Sequence, residues 1–391
     1  MKTITVSQFA LGIALGVLIA CSPTKFSNPS QLSGVCNAST NCVQGNGYED
    51  YTNVPFKVGA GKVDILFIDD NSASMSKAHV AMASKFSGFI QNLDTKQIDY
   101  RIAITTTDVA SVGQKRLVAI GGANPSFLTK NDPNRINLFN NSIRRNETIQ
   151  CEDHITAYFN TFNVNFQSAA GYQTGYIQKC PSSDTRGLYT GNMVVSDNAD
   201  SFMRTDANLN IILISNDDVR QGRYLTDSNY ALDVKDTAEG FKAMMQSKYP
   251  IKYWDFNSIV VGDSTCKANQ TLRNASNIEV TNQMGPAIAG GIGTEYIKLS
   301  SSAAVDIDND TRSRGLTLDI CQANYSGNFA LMAVQISQAA RMKVLNCTPT
   351  AAPVVSPANI PYTWNGNKLV FNAGSEGIPV TISYRCYTGA L

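Results

Sequence analysis

Asp70-Asn71-Ser72-Ala73-Ser74 sets one carboxylate and two hydroxyls at alternate positions, directly after the apolar run Val63 to Ile68. In a loop leaving a buried strand, this D-x-S-x-S spacing turns three oxygen donors toward a common point. A hard divalent cation such as Mg²⁺ takes about six oxygens and tolerates water among them. With few direct carboxylates, the ion stays under-neutralised and can recruit an acidic oxygen from another molecule. The competing reading is a plain helix cap. In it, Ser72 or Ser74 satisfies a free backbone N–H and Asp70 favours the positive helix end.

The elements around the string decide between the two. Val63 to Ile68 reads as a central parallel strand covered on both faces. Ser74 to Leu93 has helical spacing, with Val80, Ala83, Phe86, Ile90 and Leu93 on one side. A second strongly apolar strand, Asn210 to Ser215, also stops at polar residues, Asn216-Asp217-Asp218. Further strands are expected at Arg101–Thr105, Arg116–Gly121, Tyr253–Val261 and Tyr296–Leu299, and helices around Asn134–Arg145, Val234–Lys248 and Gly327–Arg341. This alternation predicts an α/β fold, doubly wound, with a mostly parallel central sheet flanked by helices. Ligands of such sheets sit at the carboxyl ends of the strands. Both acidic endings fall there, which favours the cradle.

Other chemistries find little support. A serine hydrolase needs a base oriented by a third group, and the chain has only His79 and His154, both expected at the surface. No G-x-S-x-G and no glycine-rich phosphate loop after a strand occurs, so the chain is not expected to be an enzyme. Asp306-Ile307-Asp308-Asn309-Asp310 invites a calcium-loop reading, but Thr311 and Thr317 stand where an EF-hand requires Gly and Glu. It reads as a solvated turn. With 32 basic against 31 acidic residues and no long basic run, nucleic acid is not an expected partner.

On the D-x-S-x-S string and its setting, the chain resembles the von Willebrand factor type A family. Its metal-ion-dependent adhesion site uses that string after the first strand, a threonine from a mid-chain loop and an acid after the fourth strand. More narrowly, the chain is similar to bacterial type A lipoproteins, through the phrase ANLNIILISNDD (Ala207 to Asp218) and the later Asp319-Ile320-Cys321. The likeness covers roughly residues 59–345, and the small C-terminal module is also similar. It implies a metal site of Asp70, Ser72 and Ser74, with Thr185 as the threonine and Ser183 as a neighbour able to replace it. Asn216 stands where the family has its acid, and Asp217 follows one place later. The implied cofactor is one Mg²⁺ (or Ca²⁺ or Mn²⁺), weakly held. The implied function is capture of a protein partner offering an acidic residue. A structural envelope scaffold with a degenerate metal site is the alternative.

The ends of the chain bear on compartment and organisation. Met1-Lys2, the apolar Phe9 to Ala20 and the ending Leu18-Ile19-Ala20-Cys21 look like a bacterial lipoprotein signal, with Cys21 lipidated. The expected location is the cell envelope, as an outer membrane lipoprotein facing the periplasm or the surface. The lipid is its only membrane contact. Eight cysteines then remain: Cys36, Cys42, Cys151, Cys180, Cys266, Cys321, Cys347 and Cys386. No C-x-x-C occurs, so disulfides are expected rather than metal ligation; eight cysteines allow 105 connectivities, and sequence order suggests neighbours. The expected organisation is a signal at 1–20, a flexible tether at 21–58, the α/β domain at 59–345 with an insertion around 122–185, and a small β module at 346–391. In that module Asn365-Gly366 marks a hairpin turn.

Overall fold

The computed structural model describes residues 36–45, 47–58, 61–112, 117–121, 125–182, 184–250, 252–268, 291–301, 314–322 and 325–388. The signal at 1–20, Cys21, Ser183 and Asp306–Asp310 lie outside the described residues. In chain order, strands β1 (Cys42–Gln44) and β2 (Tyr48–Lys57) precede β3 (Lys62–Asp69), helix α1 (Ser76–Thr95), β4 (Asp99–Thr106) and the short α2 (Val109–Val112). Then follow β5 (Leu128–Thr129), α3 (Arg135–Ile143), α4 (Asn146–Phe162), α5 (Tyr172–Lys179), α6 (Gly187–Asp197) and β6 (Asn208–Ser215). The α/β part closes with α7 (Ala238–Lys248), β7 (Trp254–Val260), α8 (Thr294–Ser300), β8 (Thr317–Asp319) and α9 (Ser326–Ala340).

The central sheet has six strands in the order β5-β4-β3-β6-β7-β8, parallel throughout except for the antiparallel edge pair β4–β5. Successive side chains of β3 leave opposite faces. Val63, Ile65 and Phe67 meet α1, α3 and α9, while Leu66 and Ile68 meet α6, α7 and α8. Phe67 meets Phe86 edge-on at 5.1 Å between ring centres, and Phe86 stacks on Phe139 at 3.6 Å. A strand buried on both faces has no polar side to show water. This is why the middles of β3 and β6, Ile65–Ile68 and Ile211–Ile214, read as unbroken apolar runs, while β7 carries Asp255, Asn257 and Ser258 buried among its apolar residues. The chain leaves β3 toward β4 on one side and returns to β6 on the other. The winding reverses at β3, so the loops after β3 and β6 flank the crevice position at which sheets of this topology take ligands.

Several expectations are corrected. Tyr296–Leu299, expected as a strand, lies in α8, where Tyr296 and Leu299, three apart, are buried on one face. Leu117 to Gly121 is irregular backbone rather than a strand; Val118 N–H donates to Ile104 O (2.8 Å) at the sheet edge. The predicted helix around Asn134–Arg145 stops at Ile143, and a much longer helix, α4, follows.

The stretch expected as a tether up to residue 58 is structured from Asn37 on. Strands β1 and β2 join β13 (Pro379–Tyr387) and β10 (Val354–Ser356) in an antiparallel sheet ordered β1-β2-β13-β10. A second small sheet holds β11 (Tyr362–Asn365), β12 (Lys368–Phe371) and β9 (Met342–Val344). Tyr51, Leu369, Phe371 and Ile382 form the core of this module, which the cystines Cys36–Cys42 and Cys347–Cys386 border. The α/β part is therefore inserted between strands of the module. The outgoing and returning chains meet where a Cβ on Gly61 would lie 2.1 Å from the Ala340 carbonyl oxygen. Both crossings lie at the amino end of β3. Its eight residues span about 25 Å to the acidic end, at about 3.3 Å each.

Gly61→Ala is expected to force these backbones apart and destabilise the protein by roughly 1–3 kcal/mol, read as a lowered thermal midpoint. An unchanged midpoint would mean that the two crossings are not held in contact.

Candidate metal centre

The loop after β3 starts by extending the sheet: Asp70 N–H donates to Ile214 O (2.9 Å), bringing Asp70 beside Ser215 at the end of β6. The Asp70 carboxylate is fully buried and held from three sides. Oδ1 accepts from Ser72 N–H (2.9 Å) and, at the limit of a hydrogen bond, from Thr107 Oγ1 (3.5 Å), and Oδ2 accepts from the Ser215 hydroxyl (2.6 Å). Ser215 Oγ in turn accepts from Asp217 N–H (3.0 Å), so one hydroxyl ties both loops together.

Neither serine of the string is a helix cap. Ser72 precedes a short 3-10 turn, Ala73–Met75, without making a side-chain cap bond, and α1 begins from Met75. The hydroxyls turn instead toward each other and toward the neighbouring loop. Ser72 Oγ lies 3.1 Å from Ser74 Oγ, and Ser74 donates to Asn216 Oδ1 at 3.2 Å. Oxygens bound at right angles to one ion at about 2.1 Å lie about 3 Å apart. The donor set, all hard oxygen and already at that spacing, fits a small divalent cation.

The remaining predicted residues divide. Thr185 is buried in the adjoining loop, paired through an isolated bridge with Asp108. Its hydroxyl donates to Asp218 O (3.2 Å) and accepts from Gln221 N–H (3.3 Å), so it braces the loop after β6. Asn216, not Asp217, has its side chain among the serines. The Asp217 carboxyl accepts from Gly291 N–H, and burial, reinforced by the charge of Asp70, pushes it up to about 7. Asp218 is turned toward α8, accepting from Tyr224 Oη (2.8 Å) and Glu295 N–H (3.3 Å), and burial raises it to about 6.

The sequence reading missed Thr107 and the roles of Asp69 and the histidines. Thr105-Thr106-Thr107-Asp108 is a polar strand ending like the other two, and it was the available signal. His79 is not at the surface: its Nε2 lies 3.0 Å from Asp69 Oδ1, with both side chains almost fully buried. Burial pulls the imidazole down, but the Asp69 charge outweighs it and holds His79 above its ordinary value; burial raises Asp69 itself. His154 is buried too, with Nε2 3.0 Å from Tyr172 O. Cysteine offers no rival metal site among the described residues. The groups Cys36/Cys42/Glu49 and Cys266/Asp319/Cys321 are built on disulfides. The cystines follow sequence order: 36–42, 151–180, 266–321 and 347–386. Among the described residues no helix is long and apolar enough to cross a membrane.

No family model and no curated protein matches the chain. Among solved structures it is similar to the pilus adhesin SpaC of Lactobacillus rhamnosus GG in its open conformation. That match has 12% identity and a TM-score of 0.32, over 88% of this chain and 41% of that one. It is also similar to proximal thread matrix protein 1 of the mussel byssus, at 11% identity and a TM-score of 0.32, over 73% of this chain and 49% of that one. The chain thus spans less than half of either structure, and likenesses this distant carry no function across.

The Asp217 shift fixes a pH dependence for the cation-free protein. Its carboxyl holds a proton in the folded state up to about pH 7, whereas the unfolded chain releases it near pH 4. Stability therefore falls as pH rises through that window, and the cost is complete above it. In chelator, Asp217→Asn is expected to leave the unfolding midpoint nearly unchanged at pH 3 and to raise stability by roughly 3–4 kcal/mol at pH 8. A gain independent of pH would show that Asp217 is not the group that titrates.

Proposed function

We propose that this chain is a lipid-anchored, exported binding protein of the cell envelope that captures a protein partner through a divalent cation. The observation that carries the reading is the run of oxygens at the crevice. It links the Ser72 and Ser74 hydroxyls to the Asn216 side-chain oxygen, beside the buried Asp70 carboxylate. Asp70, Ser72, Ser74 and Asn216 would hold the ion, flanked by Thr185 and Asp217. A bound Mg²⁺, Ca²⁺ or Mn²⁺ would supply an unneutralised positive charge with room for one more oxygen, suited to a carboxylate of the partner. Asp70 is the only carboxylate in this run, so little negative charge competes with that incoming acid.

The fold supports the reading in two further ways. The crevice lies at the end of β3 opposite both crossings to the module, so the module leaves the site uncovered. Four cystines suit an oxidising compartment, and the ending at Cys21 supplies the anchor, in the outer membrane. The reading gives the chain no catalytic role.

Asn216 favours a second reading, in which the site is too weakly charged to hold an ion and the protein is an envelope scaffold. The two differ in a direct measurement. Titration of the purified chain with Mn²⁺ or Mg²⁺ is expected to show one site that Asp70→Ala removes, and Asn216→Asp is expected to tighten it about tenfold by adding a charged ligand. Capture of an envelope partner is expected to fail with Asp70→Ala or in chelator while the fold is retained. No site at millimolar metal, together with undiminished capture by Asp70→Ala, would leave the scaffold reading standing.

A further inference from the structure

The loop of the metal string has two sides. Asp70, Ser72 and Ser74 face the crevice, and the residues between and after them, Asn71, Ala73 and Ser76, are buried against the insertion. One face of α4 meets them. Thr148 Oγ1 donates to Asn71 O (2.8 Å), Glu152 accepts from the Ser76 hydroxyl, and the Ala73 methyl packs in a cluster with Cys151 and Ile155. Thr148, Cys151, Glu152 and Ile155 follow the i, i+3, i+4, i+7 spacing of a single helix stripe. The stripe thus meets the loop at three positions behind the crevice, Asn71, Ala73 and Ser76.

Cys151 does more than pack. Its disulfide to Cys180 (Cα atoms 4.6 Å apart, within the ordinary range of about 4.4–6.8 Å) joins the stripe to the start of the segment that carries Thr185. Two residues beyond Cys180, Ser182 N–H donates to Asp108 Oδ2 (3.2 Å), and Thr185 bridges the same Asp108. The cystine thus connects the support of the first loop to the lead-in of the second. Neither Thr148 nor the cystine touches the crevice itself.

We infer that the Thr148–Asn71 bond and the Cys151–Cys180 disulfide are positioning elements that preset the loop 70–76 before any ion arrives. The inference rests on the reading of that loop as a cation site for its purpose, but not for its mechanism, which is a restraint on backbone. A loop held in its ligating shape pays no ordering cost on binding. Outer groups that orient metal ligands typically set affinity by 10–100-fold.

The test uses the full chain with Thr148→Val, Thr148→Ser, the double variant Cys151→Ala/Cys180→Ala, and Cys347→Ala/Cys386→Ala as a control on a distant cystine. In metal-free protein, amide exchange over residues 70–76 is expected to quicken about fivefold in Thr148→Val, the worth of one hydrogen bond. Thr148→Ser, which keeps the hydroxyl, is expected to restore it. The Cys151/Cys180 variant is expected to quicken the same residues and the control to leave them unchanged. Mn²⁺ affinity is expected to fall about tenfold in Thr148→Val and in the Cys151/Cys180 variant. Wild-type exchange at 70–76 in both, or quickening spread evenly over the whole chain, would overturn the inference. If wild type binds no Mn²⁺, the cation reading fails, and the exchange measurement still decides whether the loop is preset.

Discussion

The hydrogen bond from Ser215 to the buried Asp70 carboxylate organises the functional end of this molecule. A carboxyl group shielded from water is costly unless donors meet it, and the ends of two neighbouring parallel strands supply them here. The same Ser215 oxygen accepts from Asp217 N–H. The turn after β6 is therefore locked to the turn after β3, and Asn216 is brought over the serines. Register in the sheet makes this possible, since Asp69 lies opposite Ile214 and the next residue of each strand completes the contact.

The fold was legible because the central strands carry no alternation. Runs such as Ile65 to Ile68 and Ile211 to Ile214 leave a buried parallel sheet as the simplest home, and the alternating helices supply its cover on both faces. The errors share a physical cause. Tyr296–Leu299 has strand-like residues, yet with only four of them the pattern suits a helix face equally well. Strand β2, TyrGluAspTyrThrAsn in its first half, pairs with β13 across more than three hundred residues, and its polar side faces water. Nothing local distinguishes such a segment from a tether.

The candidate site was legible to a different depth at each residue. Asp70, Ser72 and Ser74 are contiguous, so their spacing alone places them together. Asn216 could be placed because it ends a strand that had to neighbour β3. Thr107 and His79 could not, for opposite reasons. Thr107 belongs to a common polar strand ending, and His79 is polar on a helix whose buried side it occupies, explained only by the Asp69 carboxylate that meets it. Thr185 lies in the adjoining loop, and its hydroxyl bonds are to backbone after β6, a detail that depends on loop conformation rather than residue type.

Asn216 has a physical rationale in the charge around it. Asp70, Asp217 and Asp218 already converge on this end of the sheet; burial raises both Asp217 and Asp218, and the charges of Asp70 and Asp218 raise Asp217 further. A fourth acid beside Ser74 would face that field in the cation-free protein and add to a cost that only a bound ion could offset. Asparagine keeps the oxygen in place, 3.2 Å from Ser74 Oγ, without the charge. On the proposed reading, asparagine gives up some affinity in return for an end of the sheet that is stable when empty. On the same reading, backing of the loop by α4 and its cystine would compensate on the other side, since a preset cradle loses less on binding than one that must be ordered by its ion.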